Sequence, residues 1–325
     1  MTKPMARTAV FRTAGFAIMG AVLGIAPVEA QQYPLKPIRL VVPFAPGGAS
    51  DTLGRVVADK MSRSLGQQLI VENRGGAGGV IGSDIVAKSD PDGYTLVVSG
   101  IASHVVAPFT TPTPYDSMKS FTHIALLGGP PTGLMVNPGV PAANVKEFIA
   151  YVKSNPKGLS YASPGHGTHA HLVGELFRQH TGVNLVHVPY KGGGPAVADV
   201  VAGHVLSSFS TVQAASPFVR AGKARFLALT SEERLKDFPD VPTFAELGQP
   251  ELTAITWFGV SGPAGMPLAI ASRVNKEVRS ALAQPDVRQK FSADGIGPNS
   301  LDVEAFTAFI QKEINRWGPI AKTIQ

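Results

Sequence analysis

The 325-residue chain contains no cysteine. That excludes a disulfide framework, a thiol nucleophile, a thiolate-held metal and lipid attachment at cysteine, so an oxidising compartment is tolerated without being exploited. Charged residues make up only 16% of the chain. No dense Lys/Arg stripe with interleaved aromatics occurs, and nucleic acid is excluded as a partner. Familiar catalytic signatures are missing as well: there is no Gly-x-Ser-x-Gly elbow, no Walker pattern and no pair of carboxylates at a strand end. There is no internal repeat of solenoid period and no low-complexity tract. No apolar run reaches the roughly 18 to 20 residues that a membrane span needs.

What is present begins with a leader. Lys3, Arg7 and Arg12 precede an apolar run from about Ala14 to Pro27, and Val28-Glu29-Ala30 forms a small-residue cleavage site. This pattern predicts a secretory signal peptide over residues 1–30, cleaved after Ala30, and hence a periplasmic protein. Its removal lowers the formal charge from +6 to +4. That mild excess attracts small anions in general. The remaining chain exceeds one typical domain, so two lobes are expected. With 35 glycines and 27 prolines, it must have many short connections.

From Ile38 onward, short apolar runs alternate with amphipathic stretches, the pattern of mainly parallel sheets flanked by helices on both faces. Strand Ile38–Val42 precedes a helix from Asp51 to Leu65, with Leu53, Val56, Val57, Met61 and Leu65 on one face. Strand Leu69–Glu72, a helix from Gly78 to Ala87 and strand Thr95–Ser99 follow. Phe121 to Val136 reads as one long strand interrupted by Gly-Gly-Pro-Pro, a crossing between lobes. A second series then comprises a helix capped by Asn144 and Glu147, strand Leu159–Ala162, helix Thr168–His180, strand Val183–Val188, helix Pro195–Ala202 and strand Phe226–Ala228. Thr243-Phe-Ala-Glu246 is another capping box, and Ile255–Val260 is a return strand through Trp257. Two amphipathic helices close the chain, with apolar residues at Ile270, Val274, Val278 and Leu282, and at Phe306, Phe309, Ile310, Ile314 and Trp317. Residues 31–128 and 256–325 are expected to form lobe 1, and residues 129–255 lobe 2, with two interlobe crossings.

Three segments have the order strand, Gly-rich turn, helix, which presents unpaired N–H groups to an anion beyond the strand ends. Pro43-Phe-Ala-Pro-Gly-Gly-Ala-Ser-Asp51 is the first, with Asp51 expected to cap the helix. The second is Tyr161-Ala-Ser-Pro-Gly-His-Gly-Thr-His-Ala-His171, whose hydroxyls suit a carboxylate. Pro189-Tyr-Lys-Gly-Gly-Gly-Pro195 is the third, with Lys191 either steering an anion or simply solvated. Gly75 to Gly82 approximates a dinucleotide fingerprint, but its spacing is wrong and no acid is placed for a ribose, so it reads as close helix packing. His166, His169 and His171 could hold a metal, yet no carboxylate is near in sequence, and residues 169 and 171 face apart on a helix. Trp257 and Phe258 read as hinge packing.

These segments also carry a resemblance. Tyr33-Pro with Pro37-Ile-Arg-Leu-Val-Val-Pro-Phe, Gly47-Gly-Ala-Ser-Asp51, Val71-Glu-Asn-Arg, Pro91-Asp-Gly-Tyr-Thr-Leu, Ser163-x-Gly-x-Gly-Thr-x-x-His-Leu, His187-Val-Pro-Tyr-Lys-Gly, Asp240-Val-Pro-Thr and Trp257-Phe-Gly occur in this order. Jointly they resemble the Bug/TctC solute-binding proteins, extracytoplasmic receptors of tripartite tricarboxylate transporters. The resemblance implies an α/β, two-lobed Venus-flytrap fold that holds a small carboxylate between the lobes. It implies ligand contacts from Phe44, Ala45, Pro46, Gly47, Gly48, Ala49, Ser50 and Asp51 in lobe 1. The loop Ser99 to His104 should also face the cleft. From lobe 2 it implies Ser163, Gly165, Gly167, Thr168, Tyr190 and Thr211. Membrane permease subunits or a sensor-kinase domain are the implied partners, the chain is expected to be a monomer, and no cofactor, metal or catalytic residue is assigned. The family often has an acid where Leu206 stands here, which disfavours amino-acid ligands if Leu206 faces the cleft. The alternatives are a secreted hydrolase using the His166 to His171 loop, and a receptor that signals without transport.

Overall fold

The computed structural model describes residues 1–2, 33–297 and 299–322. Apart from its first two residues, the expected leader lies outside the described residues. Among the described residues, no helix is long and apolar enough to cross a membrane.

Ten described strands form two five-stranded sheets. The first contains β1 (Ile38–Val42), β2 (Leu69–Asn73), β3 (Thr95–Gly100), β4 (Phe121–Gly128) and β10 (Phe258–Pro263) in the order β2-β1-β3-β10-β4. The second contains β5 (Thr132–Val136), β6 (Leu159–Ser163), β7 (Leu185–Pro189), β8 (Ser207–Thr211) and β9 (Arg225–Leu229) in the order β7-β6-β8-β5-β9. The two orders are equivalent. In each sheet one strand runs against the rest: β10 is antiparallel to β3 and β4, and β5 is antiparallel to β8 and β9. These are the strands by which the chain enters each lobe from the other.

The helices are α1 (Ala49–Leu65), α2 (Val80–Ala87), the short α3 (Ala107–Thr110), α4 (Val145–Ser154), α5 (His169–Thr181), α6 (Gly193–Ala202), α7 (Val212–Arg220), α8 (Leu268–Ala283), α9 (Pro285–Ala293) and α10 (Val303–Ala321). β1 shows why the sheets are covered on both faces. Ile38, Leu40 and Val42 join one core with Leu53, Val57 and Met61 of α1, while Val41 joins another with Val80 and Val86 of α2. Each such side chain contributes about 1.5 to 3 kcal/mol when fully buried. The uninterrupted apolar run of β1 follows from this two-sided burial.

The segment read as one long strand divides at Gly129 into β4 and β5, which belong to different sheets. The return strand starts three residues later than expected, because Ile255 bridges to Pro131 in the opposite crossing. The two crossings therefore lie side by side. A Cβ on Gly129 would come within 2.1 Å of the Thr256 carbonyl oxygen, so only glycine allows this approach. β8 and α7 are not legible in the sequence, since Ser-Ser-Phe-Ser-Thr lacks an apolar run. All five residues of β8 are nonetheless buried, with Ser207 Oγ donating to the Ser160 carbonyl at 3.1 Å and the Ser208 and Ser210 hydroxyls paired at 3.0 Å. Thr243 and Glu246 make the reciprocal bonds of a capping box, but a turn rather than a helix follows.

The hinge is secured from one side by α10. Its Phe306, Ile310 and Trp317 share a core with Ile101, Trp257 and, from lobe 2, Leu172. Glu313 Oε2 accepts from Trp257 Nε1 at 3.1 Å and from Trp317 Nε1 at 3.0 Å. Removing this acceptor leaves two buried indole N–H groups unpaired. Glu313→Ala is expected to lower unfolding stability by about 3 kcal/mol, whereas Glu313→Gln, which keeps a carbonyl acceptor, loses less than half of that. Denaturant titration followed by tryptophan fluorescence measures both, and equal losses would refute the acceptor role.

Candidate ligand-binding site

At the carboxyl end of β1 the chain turns through Pro43 to Gly48 and enters α1. Asp51 does not cap this helix; it sits in the first turn with Gly48 at the cap position. Its buried carboxylate instead braces the preceding turn. Oδ2 accepts from the Gly47 N–H at 3.0 Å, and Oδ1 accepts from Asn73 Nδ2 at 2.8 Å and Arg55 Nε at 3.0 Å. Asn73 Nδ2 also donates to the Phe44 carbonyl at 2.9 Å. Burial alone would raise the Asp51 pKa, but the bonds from Arg55, Asn73 and Gly47 outweigh it and hold the group below its ordinary value.

Lobe 2 supplies the facing wall through the turn between β6 and α5. Gly165 (φ 148°) and Gly167 (φ 70°) adopt backbone conformations that favour glycine. The hydroxyls expected to meet a ligand bind their own loop: Ser163 Oγ donates to the Gly165 carbonyl at 3.1 Å and lies 2.6 Å from His187 Nε2. Thr168 Oγ1 donates to the same carbonyl at 2.8 Å and accepts from the His171 N–H at 3.3 Å. Thr168 thus caps α5.

Across the cleft the two lobes meet backbone to backbone. The Ala45 N–H donates to the Lys191 carbonyl at 2.7 Å, and Gln213 Nε2 donates to Thr52 Oγ1 at 2.9 Å. A Cβ on Gly194 would come within 2.4 Å of the Pro46 carbonyl, and one on Gly48 within 3.2 Å of the Gly193 nitrogen. Lys191 is exposed and touches lobe 1 through its main chain.

Between these turns lies a narrow cavity of about 40 Å³, lined by Phe44, Gly48, Ala49, Ser50, Gly100, Ile101, Ala102, Pro164, Thr168, His169, Ala170, Gly193, Thr211, Thr256 and Phe258. It receives the starts of three helices: α1 at Gly48 to Ser50, α5 at Thr168 to Ala170 and α6 at Gly193. First-turn N–H groups have no partner within their helix, and each helix start carries roughly half a positive charge. The lining contains no lysine or arginine among the described residues. His169 brings no cation either, because burial, with the Arg316 charge second, lowers its pKa to about 3. Its Nδ1 pairs with Thr132 Oγ1 at 3.0 Å. A larger cavity, about 680 Å³, lies beside Lys276, Arg279 and Arg288 and shares no lining residue with this one.

Of the residues expected at the site, the structure brings Phe44, Gly48, Ala49, Ser50, Thr168 and Thr211 to the cavity. Ala45, Pro46 and Gly47 lie in the same turn, where the lobes touch, and Asp51 lies behind it. Ser163, Gly165 and Gly167 shape the lobe 2 turn. Ser99 Oγ accepts from Ser261 Oγ between β3 and β10. His104 is buried beside Tyr115, Phe121 and His123; its loop lines the cavity with Gly100, Ile101 and Ala102 instead. The Tyr190 hydroxyl donates to Asp199 at 2.6 Å. Leu206 precedes β8, a strand length from Thr211, and packs on the lobe 2 core. It does not face the cavity, so the inference against amino-acid ligands falls. Phe258, read as hinge packing, lines the cavity, whereas Trp257 does pack in the hinge. His169, Ala170 and Gly193 were missed, although their place at helix starts was a usable signal.

The sequence profile of the tripartite tricarboxylate transporter family receptor matches residues 53–325. The chain is 38% identical to protein BugT of Bordetella pertussis, over 99% of this chain and 97% of that one. Among solved structures it is similar to the periplasmic binding protein BugD, with a TM-score of 0.86 at 32% identity over 90% of this chain and 98% of that chain. It is also similar to MatC from Rhodopseudomonas palustris with bound malate, with a TM-score of 0.84 at 33% identity over 89% of this chain and 100% of that chain. The two-lobed α/β architecture is therefore that of periplasmic binding proteins, and the chain belongs to the tripartite tricarboxylate transporter receptor family.

Proposed function

We propose that this protein is a periplasmic receptor that captures a small carboxylate between its lobes and presents it to the permease subunits of a tripartite tricarboxylate-type transporter. The observation that carries the reading is the meeting of three helix starts, from both lobes, on one cavity whose lining has no lysine or arginine among the described residues. Such a seat stabilises a carboxylate with main-chain N–H groups and helix dipoles, without a compensating cation. Phe44, Ile101, Pro164 and Phe258 provide apolar contact for the ligand's hydrocarbon body. At about 40 Å³ the space is well below the roughly 300 Å³ of an ordinary ligand pocket, so an acid must part the lobes to enter. MatC, with bound malate, is consistent with this ligand class.

Closure supplies the coupling to transport. A ligand shifts the open and closed populations only through interactions that differ between them. Here the lobe 2 helix starts are added on closing, and the closed pair of lobes offers the permease a composite surface.

Calorimetric titration with mono-, di- and tricarboxylates is expected to identify at least one acid that binds with one ligand per chain, while its methyl ester does not. Absence of binding across the panel would overturn the reading. Gly194→Ala is expected to weaken that acid by at least about tenfold, because the new Cβ obstructs the approach to Pro46. The lobe itself keeps its stability, since alanine is favoured over glycine in a helix by about 1 kcal/mol. Unchanged affinity in that variant would show that the lobes need not approach this closely.

A further inference from the structure

Three histidines that the ligand cavity does not use come together on lobe 2. His166 lies in the turn before α5, His171 in the first turns of α5 and His187 in the middle of β7. The β6–β7 register sets Tyr161 opposite His187, and their rings stack at 5.1 Å. His171 stacks on His187 at 3.9 Å and 18°, and His166 stands edge-on to His171 at 4.7 Å. One ligating nitrogen from each lies within 4.8 Å of the others. His169, part of the set considered from sequence, points elsewhere, toward Thr132 and Trp317. His187 replaces it, from a strand sixteen residues beyond His171.

We propose that His166, His171 and His187 form a binding site for a late first-row divalent metal ion, with Zn2+ as the expected occupant and Ni2+ or Cu2+ as competent substitutes. Neutral imidazole suits these ions, and three histidines leave a fourth tetrahedral position for water or an anion. A tetrahedral zinc with bonds of roughly 2.0 to 2.1 Å holds its nitrogens about 3.3 Å apart. Reaching that value takes rotation of His166, the exposed member of the three, and of His171 out of its stack on His187, because the lone pairs of stacked imidazoles lie in nearly parallel planes.

The surroundings prepare the other two rings. Burial first, then the neighbouring imidazoles, lowers His171 to about 3 and His187 to about 4. With His187 Nε2 donating to Ser163 Oγ and that hydroxyl donating onward to the Gly165 carbonyl, the His187 Nδ1 lone pair is left available. A hydroxyl partner of this kind orients a metal-ligating histidine. His171 Nδ1 accepts from the Gly167 N–H at 3.1 Å. A bound metal requires that bond to give way, whether the ion takes Nδ1 or takes Nε2 and leaves the proton on Nδ1.

The consequence reaches the carboxylate seat. An ion held by these three residues staples the turn, α5 and β7 together around Ser163 to Thr168, the segment that forms the lobe 2 wall. The same turn abuts lobe 1, since a Cβ on Gly78 would come within 2.6 Å of the His166 carbonyl. Metal therefore sets the position of a turn that takes part in closure.

The test uses the protein without a polyhistidine tag, stripped by chelator and titrated with Zn2+ and, separately, Ni2+ by calorimetry, with retained metal counted by mass spectrometry. One ion per chain is expected. His166→Ala and His187→Ala should each weaken it by at least about tenfold. His166 is exposed, so its variant keeps the fold, which circular dichroism verifies. No retained ion, or retention unchanged in both variants, would overturn the proposal. Carboxylate titration of the same samples in chelator reads the ligand site separately, so failure of one reading is distinguishable from failure of the other.

Discussion

Everything at the cleft depends on two main-chain turns approaching each other without side chains between them. The turn before α1 and the turn before α6 meet through the Ala45 N–H and the Lys191 carbonyl, with Gly47 and Gly48 on one side and Gly192, Gly193 and Gly194 on the other. Any Cβ at Gly194 would strike the Pro46 carbonyl. Glycine here serves proximity, because helix N–H groups from separate lobes can address one small anion only if their backbones come this close. The polar side chains nearby serve that geometry. Asp51 and Asn73 hold the first turn, and Ser163 and Thr168 hold the neighbouring lobe 2 turn before α5.

The hinge gives this approach a defined axis. Its two strands lie side by side at Pro131 and Ile255, and Gly129 lets them nearly touch. α10 belongs to the lobe 1 side yet packs its tryptophan against both the crossing and lobe 2, with Glu313 between the two indoles. In the proposed function, this packed pair of crossings is the element about which the lobes open and close. Whatever a ligand binds only when the lobes are shut then translates directly into the population of the closed form.

Much of this was legible in the sequence, for physical reasons that differ by segment. β1 and α1 announce themselves because a strand buried on both faces must be apolar throughout, and the helix beside it must show one apolar stripe. β8 was silent because its burial is satisfied by hydroxyls hydrogen-bonding within the sheet rather than by apolar surface. The return strand starts three residues later than its apolar residues suggest, since Trp257 is apolar for the sake of the hinge core and Ile255 pairs with the other crossing through its backbone. At the site, the turns were found by their glycines, but side-chain roles were not. Ser163, Asp51 and Tyr190 carry polar groups of the right chemistry, and only the folded arrangement engages them with partners in their own lobe. His187 likewise joins His171 through strand register, which spacing along the chain does not encode.

The central claim is that amides of both lobes hold one carboxylate, and backbone amide NMR of the deuterated protein during carboxylate titration tests it most directly. The account predicts that the largest shifts occur together at Gly48, Ala49 and Ser50 in lobe 1 and at His169, Ala170 and Gly193 in lobe 2, with one common saturation curve. Shifts confined to a single lobe, or centred on lysine and arginine side chains away from the cleft, would contradict it.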